Sequence, residues 1–173
     1  MADREPTEIK NLDRYGKAAL PWSRPRDLLA ASASANTTFI LGTVRPDGRP
    51  HAAVFGALWH DGDLYIVSGP QTRKSRNLAA NPACTISVGL EGIDLILEGE
   101  VSRVTDQPTL ETVARLYREG GWPAQVERDA FTAPYSAPSA GPSPWHLYRF
   151  TFHTAFGVAT AEPHGATRWR FER

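Results

Sequence analysis

The feature that most constrains this chain is a series of short β-type segments separated by tight turns. Thr37 to Val44 is rich in β-branched and aromatic side chains and ends at the turn sequence Pro46-Asp47-Gly48-Arg49. His51 to Trp59 then alternates between two faces, and Asp61-Gly62-Asp63 turns the chain into Leu64 to Ser68. Turns as short as these join neighbouring antiparallel strands, so the spacing predicts a three-stranded antiparallel meander.

Helical patterns interrupt the strands at three places. A short helix is predicted from Ser23, with an apolar side made of Leu28, Leu29 and Ala33. Thr72 to Asn81 predicts a second helix, which has Thr72 as its N-cap and is stopped by Pro82. Asp106 caps a third helix that ends at Gly120-Gly121, with core spacing at Leu110, Val113, Ala114 and Tyr117.

The remaining β-type segments complete an antiparallel sheet: Ala83 to Gly89, Ile93 to Val104, Trp145 to Val158 and Thr167 to Phe171. Strands at hairpin spacing, with helices between them, predict a mainly β fold, a small antiparallel barrel with helical excursions. We expect residues 1–22 to form an N-terminal arm and residues 23–173 a single barrel domain. Residues 132–144 are rich in proline and alanine and predict an irregular loop, long enough to serve as a lid or a dimer arm.

Composition excludes several classes of function. Nineteen Lys and Arg balance nineteen Asp and Glu, so no net charge draws the chain to nucleic acid or to an anionic membrane. The single cysteine, Cys84, excludes an intrachain disulfide, and the histidine spacing matches no metalloprotease motif, so no metal is predicted. No apolar run is long enough to span a membrane, and we expect a cytoplasmic protein.

One segment, Thr72-Arg73-Lys74-Ser75-Arg76-Asn77-Leu78, combines three cations and two hydroxyls without an acid at the start of a predicted helix. A helix N-terminus offers free N–H groups and the positive end of the helix dipole, and both favour an anion. Arginine, lysine and serine side chains at that position form a phosphate cradle. A solvated basic helix face would show the same composition, and the pattern alone leaves both interpretations open.

The order of several short motifs resembles a known family. Phe39 to His51, then residues 72–78 followed by Asn81-Pro82, then Glu98-Gly99-Glu100-Val101 resemble the pyridoxamine 5′-phosphate oxidase-like split β-barrel superfamily. The Lys74-Ser75-Arg76-Asn77-Leu78 run is most similar to the flavin/deazaflavin oxidoreductase B branch, many of whose members bind coenzyme F420. The resemblance covers about residues 25 to 171 and implies a split antiparallel barrel.

The resemblance also implies roles for individual residues. Lys74, with Arg73 and Ser75, would hold the cofactor phosphate, while Arg76 and Asn77 would assist them or brace the helix against the barrel. A strand would run along the flavin ring, and its residues are His51, Ala52, Ala53, Val54 and Phe55. Small side chains suit the close approach of a planar ring, and they equally suit close strand packing. Members of the superfamily are homodimers with the cofactor at the subunit interface, and we expect the same here.

Aromatic and guanidinium groups near the C-terminus are candidates for the same cleft. Trp145 follows the long loop, and Arg168 lies in the Thr167 to Phe171 segment, where it would meet an anionic cofactor tail or simply belong to an edge strand. Four tryptophans exceed what one small barrel is expected to bury, which favours a dimer: Trp22, Trp59, Trp145 and Trp169.

These features predict a flavin- or deazaflavin-dependent oxidoreductase that transfers a hydride to a small conjugated organic substrate. Coenzyme F420 is the first choice and FMN the alternative, since one phosphate cradle serves both. No side chain is assigned as catalytic, and a bound water or a hydroxyl such as that of Tyr135 would deliver a proton. A non-catalytic carrier or storage protein is the main alternative, and a haem-utilisation relative is a weaker one because no axial histidine is evident.

Overall fold

A computed structural model describes residues 4–32, 37–135 and 140–172. Its helices and strands, in chain order, are β1 (Glu8–Asn11), α1 (Ser23–Ala31), β2 (Phe39–Val44), β3 (Pro50–Phe55), β4 (Leu58–His60), β5 (Asp63–Ser68), α2 (Arg73–Ala80), β6 (Ala83–Leu90), β7 (Ile93–Val104), α3 (Gln107–Glu119), β8 (Gln125–Glu127), β9 (Ala130–Thr132), β10 (His146–Ala159) and β11 (Ala166–Arg170).

The long strand β10 organises the main sheet. Along one edge it pairs with β7, and the sheet continues through β6 and β2 to β3. Along its other edge, the first half of β10 pairs with β5, which also pairs with β4, and the second half pairs with β11, which pairs with β1. Every pairing is antiparallel, and the divided partnership of β10 makes the fold a split antiparallel β-barrel, as predicted.

The predicted N-caps are confirmed for α2 and α3, whereas the N-cap predicted at Ser23 is wrong. Thr72 caps α2, and its side-chain oxygen accepts a hydrogen bond from the backbone N–H of Ser75. Asp106 caps α3, and its carboxylate accepts from the backbone N–H of Thr109 at 3.0 Å. Short polar side chains at these positions satisfy N–H groups that have no partner within the helix. The first helix differs, because Trp22 occupies its N-cap position without a side-chain hydrogen bond.

The predicted meander is wrong in its second strand. His51 to Trp59 divides at Gly56 into β3, which pairs with β2, and β4, which pairs with β5. Phe55 and Leu58 are three residues apart, so one continuous strand would point them to opposite faces. Both are buried, in different apolar clusters. Breaking the strand between them allows each side chain to reach its own cluster.

The N-terminal segment, from Arg4 onwards, docks on the barrel. β1 extends the sheet by pairing with β11, so Ile9 lies opposite Trp169. Leu20 and Trp22 belong to the main core, and the backbone N–H of Leu20 donates to the hydroxyl of Thr167 at 2.8 Å. Burial of these two apolar side chains anchors the segment against the barrel.

Aromatic side chains fill two apolar clusters. Trp22 and Trp169 pack together in the barrel at a ring separation of 5.5 Å, and Trp145 lies beside α3, 5.4 Å from Trp122. The expectation that these tryptophans are exposed is wrong, since Trp22, Trp145 and Trp169 are all buried and Trp59 is partly buried. The hairpin of β8 and β9, which the sequence analysis did not predict, packs on α3 and supplies Phe131 to the second cluster. Of the described helices, none is long and apolar enough to cross a membrane.

Candidate functional site

A ring of hydroxyl groups shapes the turn that leads from β5 into α2. The Ser75 hydroxyl donates to the Ser68 hydroxyl at 2.8 Å, and the Thr72 hydroxyl lies 2.9 Å from Ser68 and 3.0 Å from Ser75. Ser75 and Ser68 are buried, so these hydrogen bonds satisfy polar groups that are removed from water. The ring holds the first turn of α2 against the end of β5. Ser75, predicted to hold a phosphate, is therefore placed to position that turn through its hydroxyl.

A second chain of hydrogen bonds joins α2 to the strand pair β2–β3. Asn77 is completely buried, and its Nδ2 donates to the hydroxyl of Thr43 at 3.0 Å. The same hydroxyl lies 3.4 Å from Nδ1 of His51, the residue opposite Thr43 in the β2–β3 register. Asn77 therefore braces the helix against the barrel, one of the two roles predicted for it. It also aligns α2 with the His51 imidazole.

Positive charge converges on His51. Burial lowers the pKa of its imidazole below the ordinary histidine value, and the cations Arg45, Arg73 and Lys74 lower it further. Arg73 and Lys74 were predicted from one segment and His51 from another, and in the structure both cations act on His51. Arg45 was not among the predicted residues. It lies just before the β2–β3 turn, where a tight hairpin returns the chain past the end of β2. That position was a usable signal.

Lys74 is the most deeply placed of these cations. Only 5% of the residue is exposed, and burial lowers the pKa of its ammonium group. Removing a charge from water is unfavourable unless an opposite charge accompanies it. A phosphate group near the first turn of α2 would favour the protonated lysine.

The donor set fits a phosphate-bearing cofactor. Three cations lie within electrostatic range of His51, and two of them, Arg73 and Lys74, belong to the first turn of the capped helix α2. Asn77 Oδ1 is also buried and, within the described chain, accepts no hydrogen bond. These residues can bind and orient an organic phosphate, while no group of three or more His, Cys, Asp or Glu among the described residues is arranged to hold a metal ion.

The strand predicted to lie along the cofactor ring is β3, an edge of the sheet. Ala52 and Val54 are exposed on one face, while His51 and Ala53 are partly buried on the other. Phe55 is buried in the main core, 5.9 Å from Phe39 between ring centres. Its side chain is therefore part of the core, and the predicted contact of Phe55 with the cofactor would involve only its backbone.

Two other predicted residues lie apart from the cluster around His51. Trp145 has no exposed surface and its indole N–H donates to the carbonyl of Gly141 at 2.8 Å, so it packs in the core rather than against a ligand. Arg168 is on β11, at the opposite side of the sheet from β3, and its guanidinium bonds the Glu8 carboxylate at 2.6 Å. Arg76 also lies on α2, two residues after the buried Lys74, and its side chain is exposed.

The described end of the long loop lies beside the start of α2. The backbone N–H of Gly69 donates to the carbonyl of Ala140 at 2.6 Å, and a cavity of about 290 Å³ separates residues 69–72 from residues 142–144. The predicted irregular loop therefore borders the turn that leads into α2. Residues 136–139 of that loop, like Ala33 of the first helix, lie outside the described residues, and Tyr135, the suggested proton donor, is exposed.

Comparison with known proteins places these features in a family. Residues 26–159 match the family model described as pyridoxamine 5′-phosphate oxidase. The chain belongs to the pyridoxamine 5′-phosphate oxidase family. The family match begins within α1 and ends at the last residue of β10, so it includes α2, β3 and Arg45.

A curated member of the pyridoxamine 5′-phosphate oxidase family matches part of this chain. A pyridoxine/pyridoxamine 5′-phosphate oxidase of Bacteroides thetaiotaomicron is 29% identical over 89 residues, which are 50% of this chain and 42% of that protein. The chain thus spans less than half the length of this curated relative.

Solved structures share the fold at low sequence identity. An F420 reductase is 23% identical, with a TM-score of 0.51 over 72% of this chain and 93% of that one. A pyridoxamine 5′-phosphate oxidase-related, FMN-binding protein from Nostoc punctiforme is 14% identical, with a TM-score of 0.56 over 89% and 98%. General Stress Protein 26 from Bacillus anthracis is 20% identical, with a TM-score of 0.52 over 78% and 93%. These similarities support the split-barrel fold of the family.

Proposed function

We propose that this protein is an oxidoreductase that binds a flavin-type cofactor, with the cofactor phosphate at the first turn of α2. The observation that carries the proposal is the convergence of Arg45, Arg73 and Lys74 on His51. Membership of the pyridoxamine 5′-phosphate oxidase family supports the same chemistry. When bound, the cofactor supplies hydride transfer, and the protein supplies binding, orientation and exclusion of water.

Each residue of the cluster has a distinct task in this proposal. Lys74 and Arg73 bind the phosphate through charge-assisted hydrogen bonds, and Arg45 adds charge from the β2–β3 turn. The hydroxyls of Ser68, Thr72 and Ser75 keep the helix N-terminus in place. The cofactor ring then lies along β3, where Ala52 and Ala53 leave room for a planar group to approach the backbone.

Coenzyme F420 is the proposed cofactor, and FMN is the alternative. The Lys74-Ser75-Arg76-Asn77-Leu78 run supports F420, and an F420 reductase is among the proteins with the same fold. An FMN-binding protein is among them as well, so the choice rests on the helix residues. The proposed substrate is a small conjugated organic molecule that accepts a hydride.

We also propose that the functional form is a homodimer with the cofactor at the subunit interface. Val54, Ile40, Ser87, Ile96 and Phe156 follow one another across the sheet register, from β3 to β10. Four apolar side chains on this face are strongly exposed: Val54 (63%), Ile40 (43%), Ile96 (46%) and Val158 (55%). Exposed apolar side chains grouped on one face of a sheet are typical of a protein interface. A second copy on this face would stand beside the exposed side of β3.

Direct titration of the purified protein with F420 and with FMN tests the cofactor. We expect tight binding of F420, followed by oxidation of the bound, reduced cofactor when a conjugated electron acceptor is added. Tighter binding of FMN would replace the F420 assignment and keep the oxidoreductase. If a cofactor binds but no acceptor in a chemically broad panel reoxidises it, the protein is a carrier. Failure of both cofactors to bind would refute the proposal.

A further inference from the structure

The barrel has an opening at the place where β10 changes partners. The β5 pairing ends at Phe150 opposite Leu64, and the β11 pairing starts at Thr154 opposite Arg170. Between these points, β5 and β11 diverge, and we call this opening the fork. A cavity of about 540 Å³ lies at the fork, lined by residues that include Arg4, Asp63, Tyr65, Arg149, Thr151 and Phe171.

A guanidinium group from the N-terminal segment occupies one wall of the fork. The Cζ atom of Arg4 lies 4.7 Å from the ring centre of Phe152 and 5.7 Å from that of Phe171. Its amino groups donate to Asp63 Oδ1 at 3.3 Å and to the backbone carbonyl of Glu172 at 3.4 Å. A planar cation is thus recognised both through its face, by aromatic rings, and through its edge, by oxygen acceptors.

The acceptor at the base of the fork is a partly buried carboxylate. The Asp63 side chain is 19% exposed, and its other oxygen lies 4.0 Å from the Nε of Arg149. That Nε instead donates to the Tyr65 hydroxyl at 3.0 Å, so Arg149 is already committed to a neighbouring acceptor. Burial raises the pKa of Asp63, and Arg4 is the strongest influence in the opposite direction. Arg4 therefore contributes most, beside a hydrogen bond from Thr151 and the charge of Arg149, to keeping this carboxylate ionised.

We propose that the fork is a binding site for a guanidinium group, and that Arg4 of the same chain is its resident ligand. A small molecule with an alkylguanidinium group then binds there when the Arg4 side chain is absent. This site is separate from the proposed cofactor site, because Asp63 begins β5 and Ser68, beside α2, ends it. Five residue steps of an extended strand separate the two positions by about 17 Å. The inference does not rest on the proposed cofactor.

Chemical rescue of the full-length Arg4→Ala variant tests the proposal. Loss of the cation should lower the midpoint temperature of thermal unfolding by about 2–4 °C. A shift of this size is expected when a chain of this length loses one stabilising contact such as the Arg4–Asp63 ion pair. Ethylguanidinium at millimolar concentration should restore the midpoint with a saturable dose response. Ethylammonium has the same charge without the planar group, and it should restore less.

Two variants control for general effects of the added cation. Arg170→Ala removes an exposed arginine that pairs with Glu8 at 3.4 Å, outside the fork, and ethylguanidinium should not stabilise it. In the double variant Arg4→Ala, Asp63→Asn, the carboxylate is lost and the rescue should disappear. Absence of rescue in Arg4→Ala would overturn the proposal, as would equal rescue in either control. If Arg4→Ala does not fold, Arg4→Gln, whose shorter side chain is polar but uncharged, carries the same test.

Discussion

At the scale of single residues, the candidate site depends on charges held close together in a partly dehydrated place. Lys74 and His51 both have pKa values lowered by burial, and neighbouring cations add to the effect on His51. In the free protein, these groups are less stable in their charged forms than they would be in water. A bound anion would stabilise the charged forms of Lys74 and His51. The affinity for the anion and the protonation of these two side chains therefore depend on the same residues.

Lys74→Ala should weaken cofactor binding by about tenfold to a hundredfold, because a charge-assisted hydrogen bond contributes roughly 1.5–3 kcal/mol. The free energy of unfolding should change little. Fluorescence titration measures the affinity, and urea denaturation measures the stability. Arg115→Ala serves as a control, since it removes an equal charge from the exposed pair with Glu119 on α3. Unchanged affinity in Lys74→Ala would contradict the assignment of the phosphate to this helix.

The His51 imidazole should titrate below its ordinary value of 6.5 in the free protein. Because the unfolded chain then binds more protons, stability falls as the pH decreases below about 6.5, and it is recovered towards neutral pH. Bound cofactor or inorganic phosphate should raise the His51 pKa by neutralising the surrounding cations. Nuclear magnetic resonance titration of the imidazole, with and without phosphate, follows both effects. A His51 pKa that phosphate leaves unchanged would argue against an anion at this position.

At the scale of secondary-structure elements, one close approach of two strands shapes the barrel. The register of β7 and β10 shifts between Phe152 and Thr154, next to Gly99. A Cβ atom on Gly99 would clash with the carbonyl oxygen of Thr151 and would lie 2.7 Å from the Cα of Phe152. The irregularity in β10 therefore requires a residue without a side chain on β7, and it adjoins the fork.

Gly99→Ala should lower the free energy of unfolding by about 1–3 kcal/mol or more, because backbone atoms cannot move aside as a flexible side chain does. Urea denaturation provides the measurement. Gly56→Ala is the matched control, since a Cβ at Gly56 meets no atom within 4 Å. Equal stability of the two variants would mean that the strands separate at Gly99 without loss of pairing.

At the scale of the whole molecule, exposed apolar side chains form a row across β3, β2, β7 and β10. No other part of the described chain covers this row. Ile96 lies near its centre and is 46% exposed. The proposed dimer would bury this row and close one side of the cofactor cleft. Interfaces of this kind are stable when they bury more than about 1,000 Å².

The purified protein should sediment at twice 19.0 kDa at micromolar concentration. Ile96→Glu would bury an unpaired charge, which is unfavourable by about 3 kcal/mol and raises the dimer Kd more than a hundredfold. Analytical ultracentrifugation measures the dissociation. Tyr15→Glu is the control, because Tyr15 is 91% exposed in the segment between β1 and α1, away from this face. A wild-type protein that sediments as a monomer would refute the dimer.

Local chemistry made much of this protein predictable from its sequence. The caps Thr72 and Asp106 mark where α2 and α3 begin, because a short oxygen-bearing side chain satisfies helix N–H groups wherever it occurs. The turn at Pro46 to Arg49 marks the β2–β3 hairpin, and alternation along β7 identifies its buried face. The basic start of α2 is visible in the sequence for the same reason, since Arg73 and Lys74 lie in one short segment.

Contacts between distant segments were decided only in the tertiary structure. Sequence alternation does not show which apolar cluster a side chain joins, so the break between Phe55 and Leu58 and the burial of Trp145 were not predictable. Arg45 joins the site only because the β2–β3 hairpin and α2 meet at Thr43. The fork likewise needs β10 to exchange β5 for β11, with Arg4 and Asp63 brought together from 59 residues apart. Such pairings depend on packing and chain closure, which no local pattern of side chains records.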